Sequence, residues 1–132
     1  MEQPRVNSRV LRFEHYRWEG VTPVAYKEPG EDWSAVTRQQ LVGPAEETPF
    51  HLRYFEVEPG GFTTYERHAH QHVVVAIRGR GEVRLGGRRE PVSYGDVVYV
   101  APNIPHQFRA SGDEPFGFFC IVGSERDRPV PL

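Results

Sequence analysis

Turn-forming residues interrupt this chain before any long helical period can be completed. Pro59-Gly60-Gly61, Arg78-Gly79-Arg80-Gly81, Gly86-Gly87 and the pair Pro102 and Pro105 punctuate short runs rich in β-branched and aromatic residues. Those runs are His51 to Glu58, Val73 to Ile77, Glu82 to Leu85, Val97 to Val100 and Phe116 to Val122, and none has the length of an ordinary helix. An earlier run, Ala35 to Val42, ends at Gly43-Pro44, and the polar stretch Ala45 to Pro49 reads as a loop. Strands recurring every 8–12 residues or so, with turn residues between them, predict an all-β sandwich or barrel. The 13 glycines, 12 prolines, eight phenylalanines and six tyrosines fit that class.

With 132 residues the chain suits one domain. We divide it into an N-terminal arm (1–34) with at most one strand, a barrel domain (35–124) and a C-terminal tail (125–132) that reads as a surface extension. Trp18 and Trp33 are the expected anchors of the arm. The net charge of −2 arises from 16 basic and 18 acidic residues scattered along the chain, which excludes a basic nucleic-acid face. The longest apolar runs stop far short of the ~20 residues a bilayer core demands, and the opening MEQPRVNSRV has no apolar stretch. The expectation is a cytoplasmic protein with no membrane partner. One cysteine, Cys120, rules out an internal disulfide; flanked by Phe118, Phe119 and Ile121, it reads as a small core residue.

Chemistry concentrates where His68, His70 and His72 follow Glu66. On a straight strand all four would share a face, but Glu66 and His72 would then lie ~20 Å apart, too far to share one ion. If the chain turns at Ala69-His70-Gln71, Glu66 and His68 point inward from one strand and His72 returns from the next. Val73, Val75 and Ile77 then point away from His72, and this apolar outer face predicts burial against another sheet or a second subunit, hence a homodimer. His15 and His51 read as ordinary structural residues.

The spacing resembles the first motif of the cupins, G-x5-H-x-H-x3-E-x6-G. Here Gly60, Glu66, His68, His72 and Gly79 occupy its positions, so an acid and an imidazole have changed places. A second register, with His68-x-His70 as the literal H-x-H, puts Val74 at the acid position and Phe62 at the leading glycine, so we favour the first. The second cupin motif, G-x5-P-x-G-x2-H-x3-N, is similar to the stretch from Gly95. His106 stands at its ligand position, while Ala101, Asn103 and Ala110 depart from it. Asn tolerates positive φ better than most residues, so Asn103 is expected to take the turn of the missing glycine.

The resemblance implies a double-stranded β-helix, or jelly-roll, barrel of two antiparallel sheets, with one divalent transition metal (Fe, Mn, Ni, Co, Zn or Cu) near an open end. It assigns the ion to Glu66, His68, His72 and His106, with Glu66 able to act as a base if released. Open coordination positions suit a dioxygenase acting on a small organic molecule. Apolar inward residues Phe62, Val74 and Phe108, with His70 beside the site, suggest an aromatic or acyl substrate. The alternatives are a non-catalytic metal- or ligand-binding module and a cupin isomerase or lyase. No G-x-S-x-G elbow is present, and Gly79-Arg80-Gly81 opens no helical pattern, so hydrolase and dinucleotide-loop readings fall away.

Overall fold

The computed structural model describes residues 6–132, so the first five residues of the arm lie outside it. In chain order the strands are β1 (Phe13–Glu14), β2 (Arg17–Trp18), β3 (Val24–Ala25), β4 (Ser34–Val42), β5 (Phe50–Phe62), β6 (Glu66–Arg67), β7 (His72–Arg78), β8 (Gly81–Leu85), β9 (Arg88–Val92), β10 (Val97–Val100), β11 (His106–Ala110), β12 (Phe116–Gly123) and β13 (Val130–Pro131). The only helical element among the described residues is a 3-10 turn over Pro44–Glu46, overlapping the start of the loop expected at Ala45 to Pro49. Every strand pair is antiparallel.

Two curled layers follow from the pairing. One runs β10-β7-β12-β5, with β4 and then β3 continuing from β5. The other gathers β9, β8, β11, β6 and β13. β5 joins them, because Phe50–Val57 pairs with β12 while Phe62 pairs with Arg109 of β11. Between the layers lie Val36, Phe55, Val57, Val74, Ala76, Val83, Val100, Phe108, Phe116, Phe118 and Val122, all buried. The inward residues of β7 are His72, Val74 and Ala76, as the period of two demands.

Three departures from expectation have local causes. Pro59-Gly60-Gly61 does not end its strand: β4 pairs Val36 with Val57 and Ser34 with Phe62, so the extra residues bulge out and pairing resumes. Gly60 takes φ +82°, and a Cβ on Gly61 would meet the Ser34 carbonyl oxygen at 2.6 Å, so both positions depend on glycine. Among the described residues the arm contains three two-residue strands rather than one. Its β1–β2 hairpin covers part of the outer face, with Trp18 against Tyr54 and Phe119 at centroid distances of 5.0 and 5.7 Å. Arg78, Tyr54 and Glu56 form a polar network under this hairpin. The exposed tail, finally, docks: Val130 and Pro131 pair with Arg67 and Glu66.

Candidate metal centre

His68, His72 and His106 reach the same space from different elements. β11 aligns His106 opposite Glu66 of β6, His68 follows β6 directly, and the chain turns back so that His72 opens β7. Asn103 fastens the two motifs together: it has φ +64°, the conformation expected in place of glycine, and its N–H donates to the His68 carbonyl at 2.7 Å. All three imidazoles are buried, and their ligand atoms lie within 4.8 Å of one another.

Each ring is held through Nδ1. The partner is the His70 carbonyl for His68 (2.6 Å), Cys120 Sγ for His72 (3.0 Å) and the Ile104 carbonyl for His106 (2.9 Å). Nδ1–H donation to these acceptors leaves the Nε2 lone pairs for the centre, the way protein imidazoles are set for a metal. His72 Nε2 is buried with no partner. Burial, reinforced by His106, pushes the His72 pKa down to about 2. Burial likewise takes His106 down to about 4, despite its bond to the Ile104 carbonyl. Both rings are therefore neutral at pH 7 and ready to donate electron pairs. Three oriented imidazoles, one of them with an orphaned buried nitrogen, fit a divalent transition ion.

Glu66 stands beside this group rather than within it. Its Oε2 is 4.0 Å from His68 Nε2, and its Oε1 accepts a hydrogen bond from Lys27. His70 stacks on His68, with centroids 3.7 Å apart and planes within 4°. Its Nδ1 meets Asp127 Oδ1 at 2.8 Å, and the same carboxylate accepts the N–H groups of Ala69 and His70. The tail thus braces the ligand loop.

A cavity of about 220 Å³ opens onto the imidazoles. His70 and Phe108 are on its wall, but Phe62 and Val74 are not. Phe62 packs beneath the Arg109 guanidinium at 4.8 Å, and Val74 is consumed by the core. Sequence reasoning missed Lys27, Arg38, Arg53 and Arg126, which also line the cavity; Cys120 is the buried core residue expected, and its side chain also reaches the wall. Arg53 had a readable signal, since Arg53, Phe55 and Val57 alternate onto the inward face of β5.

An antiparallel barrel with imidazoles gathered at its mouth is the architecture the two motifs anticipated. The cupin domain matches residues 53–122, and the chain belongs to the cupin family. The 1-methylthio-D-xylulose 5-phosphate methylsulfurylase of Rhodospirillum rubrum is 47% identical over 115 residues, covering 86% of this chain and 73% of that protein. The (S)-ureidoglycine aminohydrolase of Arabidopsis thaliana is 36% identical over 64 residues, which span 48% of this chain and 22% of that one. The crystal structure of a cupin 2 conserved barrel domain protein from Rhodopseudomonas palustris superimposes with a TM-score of 0.85 at 39% identity, covering 94% of this chain and 86% of that chain.

Proposed function

We propose that the chain is a mononuclear metal-dependent cupin enzyme that removes the methylthio group from a small sugar phosphate, the substrate class in the name of its Rhodospirillum rubrum relative. The observation carrying the reading is the trio of buried imidazoles, each tied at Nδ1 and open at Nε2, facing a cavity sized for a small molecule. His68, His72 and His106 hold the ion, with Glu66 as fourth ligand or, when not coordinated, as proton acceptor. A bound divalent ion supplies Lewis-acid polarisation of a substrate oxygen. Lys27 fixes the direction of the Glu66 carboxylate, and His70 closes one side of the cavity.

Four cationic side chains on the wall against the single carboxylate of Glu66 favour an anionic substrate over the aromatic or acyl one expected from sequence. The name of the Rhodospirillum rubrum relative likewise favours removal of a sulfur substituent over oxygen activation. The same reading takes the protein as a homodimer, supported by Val97, Tyr99 and Ile121, which remain exposed on the outer face.

The test is direct. Protein loaded in turn with Mn(II), Fe(II), Co(II), Ni(II) and Zn(II) is incubated with 1-methylthio-D-xylulose 5-phosphate and a thiol as sulfur acceptor. The methylthio resonance is followed by NMR. Metal-dependent loss of that substituent, abolished in His68→Ala and His106→Ala, is expected; no turnover with any ion removes the reading.

A further inference from the structure

The cations on the cavity wall fall into two groups. Lys27 is paired with Glu66 and Glu31. Arg38, Arg53 and Arg126 have no such partner: among the described residues none of them forms an ion pair, and Glu66, the one acidic side chain on the wall, is engaged by Lys27. They arrive from separate parts of the fold, on β4, on β5 and just after β12. The register sets Arg38 opposite Phe55 and Gln40 opposite Arg53, so the two inward arginines are diagonal neighbours, within reach of each other's long side chains.

The contacts these groups do make orient them without neutralising them. Arg53 donates to Cys120 Sγ at 3.3 Å and lies over the Phe55 ring at 5.0 Å. Arg126 Nη1 donates to the Gly123 carbonyl at 2.7 Å and lies 3.0 Å from His51 Nδ1. The Nε atoms of Arg38 and Arg53 are buried with no partner at all. Loss of water, then repulsion from Arg53, lowers the pKa of both Arg38 and Arg126. A cavity that gathers three guanidiniums and supplies no counterion carries a cost that a bound anion removes.

We propose that Arg38, Arg53 and Arg126 form the binding site for the phosphate monoester of the substrate, leaving its other end at the imidazoles. This rests on the sugar-phosphate reading above and names the groups that hold the dianion. Guanidinium forks suit the task, because each can give two parallel N–H donors to phosphate oxygens at fixed geometry. Lys27 is excluded from the site by its carboxylates. A phosphate ester is favoured over a carboxylate because three separate forks exceed what one planar carboxylate can accept.

The experiment is calorimetric titration of the full chain after chelation of metal, with D-xylulose 5-phosphate, inorganic phosphate and D-xylulose as probes. The phosphorylated sugar should bind at least tenfold more tightly than the free sugar, and inorganic phosphate should compete with it. Arg38→Met, Arg53→Met and Arg126→Met should each weaken its binding roughly ten- to hundredfold, the worth of a charge-assisted bond. Arg89→Met, an exposed residue paired with Glu82, should leave it unchanged. Thermal melting verifies that each variant is folded; if one is not, the remaining two carry the test. Equal affinity for both sugars overturns the proposal. So does indifference to the folded arginine variants, or phosphate binding that vanishes on chelation, which would place the anion on the metal. Phosphate-dependent binding without turnover of the methylthio sugar retains this site and removes the enzymatic reading. Turnover indifferent to the three substitutions does the reverse.

Discussion

Replacing Cys120 by alanine isolates the part played by the acceptor behind one imidazole. Its Sγ lies 3.0 Å from His72 Nδ1 and accepts from Arg53 as well, in a side chain that is 1% exposed. Alanine leaves the His72 Nδ1–H buried without an acceptor, at a cost of about 1–3 kcal/mol. The ring escapes that cost by turning, and turning carries Nε2 away from the other two imidazoles. Loss of an outer-shell partner of this kind lowers metal affinity about ten- to hundredfold, or roughly 1.4–2.7 kcal/mol. The missing sulfur also leaves a small cavity worth about 1 kcal/mol of stability, with or without metal. Two assays separate the effects: competition with a chromogenic chelator for Zn(II) or Mn(II) reads the first, and melting of metal-free protein reads the second. Cys120→Ser retains an acceptor and should keep most of the affinity. If the alanine variant binds metal within twofold of the parent while melting lower, Cys120 only fills space and the anchoring argument is wrong.

Gly79→Ala should destabilise the fold by roughly 2–5 kcal/mol, because the residue has φ +63° and its Cβ would lie 2.2 Å from the Pro115 carbonyl oxygen. A urea-midpoint change equivalent to less than about 1 kcal/mol would contradict the clash. Glu66→Ala should weaken metal binding in the chelator assay if Glu66 is the fourth ligand, and unaltered affinity would reassign it to pairing with Lys27. Asp127 carries a pKa held below the usual carboxylate value, chiefly by the Ala69 N–H and then by His70. Its contribution to tail docking is therefore complete above the unfolded value near 4 and is lost as pH falls from there toward the depressed one. Amide-exchange protection of Ala69 and His70, corrected for intrinsic rates, should drop over that acid range, and Asp127→Asn should lack the transition.

Legibility in the sequence followed the strength of the apolar signal. β7, β10 and β12 are dense in β-branched and aromatic residues and stand out, whereas β9 reads Arg88-Arg89-Glu90-Pro91-Val92, an edge strand paired among the described residues with β8 alone. β11 was visible only as the spacing around His106, because His-Gln-Phe-Arg-Ala has no clear period. The two-residue pairs β1–β2 and β6–β13 form because neighbouring packing holds them, which no local propensity announces. The imidazoles were legible because a turn between two strands brings them together within a few residues, and His106 followed from the second motif. Of the cations only Arg53 was, through its alternation with Phe55 and Val57; Lys27 meets Glu66 across 39 residues of chain, and Arg126 lies outside any strand whose period could reveal its face.

That division of the site has a physical consequence. The stretch matched by the cupin domain, 53–122, contains all three imidazoles, Glu66, Arg53 and Cys120. Lys27 and Arg38 lie before it, and Arg126 and Asp127 lie after it. The groups that orient the three imidazoles are thus strand and turn residues of the barrel, held by its ladder. Three of the four wall cations come from flanking segments, one of them from a tail held by its short pairing with β6 and by Asp127 on the Ala69–His70 loop. Changes at Arg38 or Arg126 can therefore alter the charge and shape of the cavity wall without removing an acceptor that holds an imidazole, whereas a change at Asp127 reaches the loop that carries His68 and His70. A fold that hosts many activities gains from that division: imidazoles fixed by the barrel, and cavity-wall charges supplied largely by the segments that flank it.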